Sequence, residues 1–331
     1  MDGTMQPKGR SAHGRRMLRW GGRIAGSALL PLAAAAGPAV NQFEMKDLEV
    51  DPGQYQFQSQ NAFMLGEPRR QYRLQPGGTV FDENTVLRQR HALELEAHLT
   101  SFFRSRVGIE YEKERVDDPL LPARANAFED LKLTSVAVEG VLVLLPVKGN
   151  GVGLGIMTEY DHALSRKEAD NWYIGPILQA QTGPWRLTAN LLAVRFFSPA
   201  EAGVRDDKWD FAYAAQLRYS YDETWSFALE GYGTVDRLPG TGVPGDGDLL
   251  FGGHDQHRIG PVIYYSYNLG DRLSRRPGAV KAVADDDDKR GSGDAEKDDG
   301  QPKAILGVGV LAGITPSTPD LTLKWSLEVE F

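Results

Sequence analysis

The sequence predicts an all-β fold, a twelve-stranded antiparallel transmembrane β-barrel. Three observations predict it: stretches of roughly ten to fourteen residues in which apolar and polar side chains alternate, connections that alternate between short and long, and aromatic residues near the strand ends. The mean hydropathy of -0.38 fits this fold, because barrel strands dilute their lipid-facing residues with lumen-facing ones.

The N-terminus predicts export. A basic stretch (residues 15–23) precedes an apolar run (24–36) that ends in small residues, as in a secretory signal peptide. We therefore predict a signal peptide at residues 1–39, and a start at Met17 would make residues 1–16 an over-extended reading frame. A buried N-terminal helix is the alternative. The absence of cysteine is compatible with an oxidising compartment.

Net charge argues against nucleic acid as a partner. Residues 1–39 carry six basic residues and one acidic residue, so their removal changes the net charge from -8 to -13. A polyanion binds a phosphate backbone poorly, and no basic patch is visible.

After a short N-terminal segment (40–53), the barrel is predicted to occupy residues 54–331. Twelve strands fit the even strand number of bacterial single-chain barrels. Their predicted spans, in order, are 54–65, 88–99, 104–116, 130–145, 151–162, 172–182, 185–197, 208–221, 225–236, 256–269, 303–314 and 320–331.

The strength of the alternation differs between strands. In residues 209–221 the odd positions are apolar or aromatic, whereas the even positions include Asp210, Gln216 and Arg218. In residues 54–60 the four glutamines occupy one face. The span 130–145 is weaker, because its run VLVLL is apolar on both faces and leaves the register open.

Connection lengths give an independent prediction. Connections after the second, fourth, sixth and eighth predicted strands are short, whereas the odd-numbered ones from the first to the ninth have about nine to over twenty residues. The link at about 270–302 breaks this parity. Within it, residues 285–299 carry eight acids and three bases, which predicts a disordered insertion. Cation binding or contact with a periplasmic partner is the alternative.

The last eleven residues, LTLKWSLEVEF, place their apolar side chains on one face and end in an aromatic residue. This ending resembles the C-terminal recognition signal of bacterial outer-membrane β-barrels. The resemblance implies an outer-membrane location in a Gram-negative bacterium, with membrane lipid and the β-barrel assembly machinery as partners. The residues it implicates in assembly are Trp325, Leu327, Val329 and Phe331.

Two longer segments carry a wider resemblance. GPVIYYSYNLGD (260–271) and LAGITPSTPDLTLKWSLEVEF (311–331) are similar to uncharacterised proteobacterial outer-membrane barrel proteins, some of them described as transporters or porins. The resemblance implies the barrel and its export, and it names no substrate. The long acidic insertion departs from the short turn expected at that position.

If the apolar faces point to lipid, the opposite faces line a lumen. Opposed charges there could set a field that selects small solutes. Alternatively, they pair and fill the barrel. A barrel of twelve strands is wider than one filled by side chains and narrower than an open porin, so the strand number does not decide between the two. The predicted lumen residues are Glu94, Glu96, His98, Arg106, Glu110, Glu112, Glu159, Arg186, Asp210, Arg218, Glu230, Arg258, Lys324 and Glu328.

Motifs for other chemistry are weak. His254 and His257 are three residues apart and are weak candidates for a metal site without a third ligand, so neither a metal nor a cofactor is predicted. The glycines of GVGLG (151–155) are expected to permit strand curvature rather than to bind phosphate. No hydrolase or nucleotide-binding motif is found.

The leading prediction is therefore a porin-like or transporter channel for small solutes. A non-conducting structural or adhesive barrel is the main alternative, and an outer-membrane enzyme is the third; we predict that the protein is not an enzyme.

Overall fold

The structure is a computed structural model that describes only part of the 331 residues. The predicted signal peptide and nearly all of the acidic insertion lie outside the described part. The described residues are 43–66, 72–75, 78–81, 85–116, 128, 130–166, 169–197, 207–235, 238–241, 255–269, 302–316 and 318–331. Among them, no helix is long and apolar enough to cross a membrane.

The described residues form β-strands at nearly every predicted position, with most bounds within two residues of the prediction. The strands are β1 (Tyr55–Leu65), β2 (Tyr72–Gln75), β3 (Gly78–Phe81), β4 (Thr85–Thr100), β5 (Phe103–Val116), β6 (Lys132–Leu145), β7 (Val152–Ala163), β8 (Asp170–Thr182), β9 (Trp185–Phe197), β10 (Trp209–Ser220), β11 (Trp225–Val235), β12 (Gln256–Asn268), β13 (Lys303–Gly313) and β14 (Leu321–Glu330).

Twelve of these strands close into one antiparallel barrel, which confirms the predicted fold. Each strand pairs with its neighbours in the sequence, and β1 pairs with β14 to close the wall. Closure removes the free edges that an open sheet would expose. Strands β2 and β3 form a separate hairpin within the connection from β1 to β4. The alternation analysis missed this hairpin because each of its strands has only four residues.

The two ends of the barrel differ. One end, the short-turn end, carries the tight connections (101–102, 183–184 and 221–224) and the C-terminus. The opposite loop end carries most of the long connections. The connection from β7 to β8 has only six residues, fewer than the nine expected, because β8 begins at Asp170. The Asp170 carboxylate accepts a hydrogen bond from the Ala163 N–H at 3.0 Å and shortens this turn.

The register of β6, left open by its sequence, is fixed by burial. Val141 and Val143 face the interior and are buried, whereas Leu142 and Leu144 are exposed on the outside. A register shift between Val143 and Leu145 places Leu145 on the outside as well. Both faces are apolar over residues 141–145 because Val141 and Val143 pack within the barrel.

Aromatic residues surround both ends of the wall. At the short-turn end, the ring centroids of Trp185 and Tyr219 are 4.8 Å apart. At the loop end, the centroids of Trp172 and Trp209 are 6.3 Å apart. Amphipathic rings at two levels, with exposed leucine and valine between them, form the outer surface of a membrane barrel.

The acidic insertion leaves and re-enters the wall at one place. The Leu269 N–H donates to the Pro302 carbonyl at 2.7 Å, directly beyond the pair formed by Asn268 and Lys303. The two flanks therefore continue one hairpin at the short-turn end, whatever lies between them.

Candidate functional site

The wall separates apolar from charged side chains with a period of two. On β4, Leu95 is 49% exposed on the outside, whereas the adjacent Glu96 is 2% exposed. The predicted lumen residues that lie buried on the inner face are Glu94, Glu96, His98, Arg106, Glu110, Glu159, Asp210, Glu230, Arg258 and Lys324. Those that share the inner face by strand parity but are only partly buried are Glu112, Arg186, Arg218 and Glu328.

The N-terminal segment, defined here as residues 43–54, lies inside the barrel. The Phe43 ring packs edge-on against Tyr232 of β11, with centroids 5.5 Å apart. The Asp51 N–H donates to His98 Nδ1 of β4 at 2.9 Å, near the short-turn end. Because the side chains of Tyr232 and His98 both point inward, the segment crosses the lumen before it enters β1.

Wall amides hold the backbone of the segment. The Asn190 side chain accepts from the Lys46 N–H at 2.9 Å and donates to the Lys46 carbonyl at 2.8 Å. Two residues later, the Leu48 N–H donates to Gln179 Oε1 at 3.1 Å. The segment has no β-ladder of its own here, so these side chains satisfy backbone groups that are buried from water.

Glycines on β7 make room for Leu48. A Cβ atom added to Gly153 would lie 2.7 Å from Leu48 Cδ1, and one added to Gly155 would lie 2.5 Å from Leu48 Cδ2. From the sequence, these glycines are expected to permit strand curvature. The structure gives a second reason, which is the close approach of a side chain from the N-terminal segment.

Arg106 on β5 joins the segment to one wall of the lumen. Its Nη1 lies 2.7 Å from Glu44 Oε1 and 3.0 Å from Glu94 Oε2, and its Nη2 donates to Glu139 of β6. Lys46 Nζ lies 2.8 Å from the same Glu139 carboxylate. The segment thus contributes one acid and one base to a buried network that spans three strands.

Arg104 holds the next part of the segment. Its Nη1 contacts Asp47 Oδ1 at 3.0 Å and the Glu49 carbonyl at 2.9 Å, and its Nη2 donates to the Asp47 carbonyl at 2.9 Å. Arg186 on β9 pairs with the Glu49 carboxylate. Burial tends to raise the pKa of Asp47, but Arg104 and Arg186 outweigh burial and hold this pKa below its usual range.

Lys324 on β14 fixes the start of the segment on the other side of the lumen. Its Nζ donates to the Phe43 carbonyl at 2.7 Å, to Glu230 Oε2 at 2.6 Å and to the Tyr232 hydroxyl at 2.9 Å. Glu230 also accepts from Gln216 Nε2 at 2.7 Å. Strand β11 lies six strands from β5 in the ring, so the segment is attached to opposite walls.

Two further lumen arginines lie on β10 and β12. Arg258 on β12 is buried over the Phe43 ring, with Cζ 4.6 Å from the centroid, and donates to Gln256 at 3.0 Å. Arg218 on β10 lies over the Tyr264 ring, with Cζ 4.9 Å from the centroid. Within the described part of the chain, neither guanidinium has an ion pair, and both Nε atoms lack a hydrogen-bond partner.

Comparison with solved structures identifies the fold. The chain is similar to the COG4313 outer membrane channel from Pseudomonas putida F1, at 10% identity and a TM-score of 0.51, over 87% of this chain and 98% of that one. This chain has the fold of an outer-membrane β-barrel. The NanC porin shows 7% identity and a TM-score of 0.42, with 83% and 97% covered. No family model and no curated protein matches the sequence.

Only one of the two histidines predicted as weak metal ligands lies in the described part of the chain. His254 lies outside the described residues, whereas His257 is buried with Nδ1 2.9 Å from the Tyr213 hydroxyl. Among the described residues, no three His, Cys, Asp or Glu side chains form a group that could hold a metal ion.

The N-terminal segment was not predicted from the sequence as part of the site. Nor were Arg104, Glu139 and Asn190, which hold the segment on the inner face. A signal was present, because FEMKDLEVD carries five charged residues in nine immediately before the first strand. Such charges need partners when they are buried, and the lumen of a barrel offers them.

Proposed function

We propose that this outer-membrane barrel is a channel for small solutes and that the N-terminal segment closes it. The observation that carries the proposal is the path of residues 43–54 through the lumen, from Phe43 beside Tyr232 to the short-turn end. Membrane lipid around the apolar outer face and the assembly machinery at the terminal strand are the partners that this function requires.

The contacts that hold the segment favour reversible closure. They are hydrogen bonds and ion pairs with wall side chains such as Asn190, Gln179 and Arg104. A typical intramolecular hydrogen bond contributes about 0.5–1.5 kcal/mol net, because water replaces it. The wall is held by continuous backbone ladders, which the segment joins at its end, where Gly53 and Gln54 hydrogen-bond to the backbone of His98. Residues 43–50 could therefore leave without opening the wall.

Two of the arginines left behind, Arg104 and Arg106, would remain paired. Without Glu44, Arg106 still has Glu94 and Glu139 on the neighbouring strands. Without Asp47, Arg104 still has Glu96 at 3.6 Å. An open lumen would therefore contain paired charges in contact with water, which is the arrangement that sets selectivity in a pore.

A non-conducting structural barrel is the second candidate. The buried network around Arg106 favours it, because paired side chains from β4, β5 and β6 fill part of the lumen without any contribution from the segment. Enzymatic activity is not proposed, since the sequence carries no hydrolase motif.

A flux assay separates the two candidates. The purified protein and a variant that lacks residues 43–50 are reconstituted in separate liposomes; the variant is expressed with the predicted signal peptide. Entry of small sugars and amino acids is measured as liposome swelling. We expect the deletion to increase flux severalfold. A folded deletion variant that is as impermeable as the intact protein would contradict the channel proposal and support the structural one.

A further inference from the structure

The pocket around Phe43 has features that a simple plug does not need. The Phe43 side chain is fully buried between the edge-on Tyr232 ring and the Arg258 guanidinium. Its backbone adopts φ 57°, a left-handed conformation that is an outlier for a bulky residue. Backbone strain of this kind is concentrated at ligand-binding and switch sites.

The charges of the pocket do not balance. Lys324 pairs with Glu230, whereas Arg258, among the described residues, contacts the Gln256 amide and the Phe43 ring and has a buried Nε without a hydrogen-bond partner. Among the described groups that contact Phe43 or one another here, two cations face one carboxylate. A buried cation without a counter-ion is costly, so one further negative charge would stabilise the pocket.

Phe43 itself outlines a ligand. Its ring lies between Tyr232 and Arg258, and its carbonyl oxygen, three carbons from the ring, accepts a hydrogen bond from Lys324 Nζ at 2.7 Å. A 3-phenylpropanoate ion has the same sequence of ring, two methylene carbons and carbonyl carbon. It would also replace a neutral peptide oxygen by a carboxylate.

We propose that the Phe43 pocket is a binding site for aryl-alkanoate anions and that Phe43 holds the place of such a solute in the closed barrel. The ring would stack on Arg258, and the carboxylate would accept hydrogen bonds from Lys324. This proposal rests on the channel function, since it names the solute class that would compete with the N-terminal segment.

Binding, rather than transport, tests the pocket. Calorimetric titration of the folded, purified protein with 3-phenylpropanoate compares the wild type with Phe43→Ala. We expect the Phe43→Ala variant to bind about tenfold more tightly, because the ring that fills the pocket is removed and only the backbone carbonyl still competes for Lys324. In that background, Arg258→Gln should weaken binding about tenfold, whereas Arg218→Gln is the matched control and should leave affinity unchanged. Arg218 stacks on the Tyr264 ring, whereas Arg258 stacks on Phe43.

Ligand comparison keeps the test informative if Arg258→Gln does not fold. 3-Cyclohexylpropanoate retains the carboxylate but lacks the π-face, and propanoate lacks the ring, so both should bind more weakly than 3-phenylpropanoate to the Phe43→Ala variant. Equal binding of the three acids, or an equal effect of Arg258→Gln and Arg218→Gln, would overturn the proposal. If the Phe43→Ala variant binds 3-phenylpropanoate but the segment deletion shows no flux, the pocket proposal stands and the channel proposal is rejected. If the deletion shows flux but the variant does not bind, the channel proposal stands and the pocket proposal is rejected.

Discussion

The Asn190 side chain binds both backbone groups of Lys46, so one wall amide replaces the β-strand partner that the N-terminal segment lacks. The two hydrogen bonds are 2.9 Å and 2.8 Å long and are buried inside the barrel. An amide can do this because it carries a donor and an acceptor side by side. This contact connects a wall strand to the segment at the level of the Arg106 network.

Asn190→Leu should therefore loosen the segment without damaging the wall. Loss of two buried hydrogen bonds predicts a shift of about tenfold toward the open state, measured as open probability in single-channel recordings. Thr188→Val changes the neighbouring inward residue of β9, which is also buried. It should leave gating unchanged, and equal effects of the two variants would argue against a specific role for Asn190.

Gly155→Ala should displace Leu48, because the added methyl group would lie 2.5 Å from Leu48 Cδ2. We expect higher resting flux in liposomes. The double variant Gly155→Ala with Leu48→Ala removes the clashing atoms and should restore part of the closure. The Gly155 Cβ position is also 3.0 Å from the Leu142 carbonyl, so the restoration is expected to be incomplete. No rescue by Leu48→Ala would place the clash in the wall instead.

Arg106→Ala should destabilise the barrel strongly, because Glu94 and Glu139 would lose a buried partner. Breaking a buried pair from one side costs about 3–5 kcal/mol, which the thermal unfolding of the purified protein would report. Arg186→Ala is the control, since its partner Glu49 is 55% exposed and a pair open to water on one side is worth at most about 1 kcal/mol. Similar losses in the two variants would mean that the Arg106 network is not a stabilising centre.

Phe331 closes the barrel seam, and its change should block assembly. Its N–H donates to the Tyr55 carbonyl at 2.9 Å, the Tyr55 N–H donates back at 3.0 Å, and the two rings stack. Phe331→Asp should leave secretion intact but reduce the heat-modifiable, folded form. Leu327→Arg on the outer face should cost roughly 2–4 kcal/mol in lipid. Normal amounts of folded protein in both variants would contradict the seam assignment.

The acidic insertion should be dispensable for the fold and periplasmic. Since Leu269 and Pro302 are hydrogen-bonded, a short turn can replace residues 270–301, and that variant should retain wild-type thermal stability.

Protease added to intact cells should cut the loops near 198–207 and 236–255 and spare Lys289. Cleavage at Lys289 in intact cells would reverse the predicted orientation.

The sequence predicted the wall well because the wall obeys a local rule. Alternation places Glu94 inside and Leu95 outside whatever the distant contacts are. It could not decide the register of β6, where Val141 and Leu142 are equally apolar, until packing inside the barrel selected one face. The hairpin of β2 and β3 was too short to produce a signal.

The lumen was predicted only in part, since its occupant comes from outside the strands. Glu44 and Lys46 belong to a segment without alternation, and their partners Arg106 and Glu139 are distant in the sequence. Contacts between residues so far apart depend on the closed topology. The Phe43 pocket follows from the same closure, because the pocket joins residues of β11, β12 and β14.

Block of single-channel current by the segment itself is the most direct test of closure. The variant that lacks residues 43–50 is recorded in planar bilayers, and a synthetic FEMKDLEV peptide is then added from either side, with a scrambled peptide as control. The proposed function predicts steady current that the native peptide, but not the scrambled one, blocks from the short-turn side. A silent deletion variant, or current that both peptides leave unchanged, would contradict it.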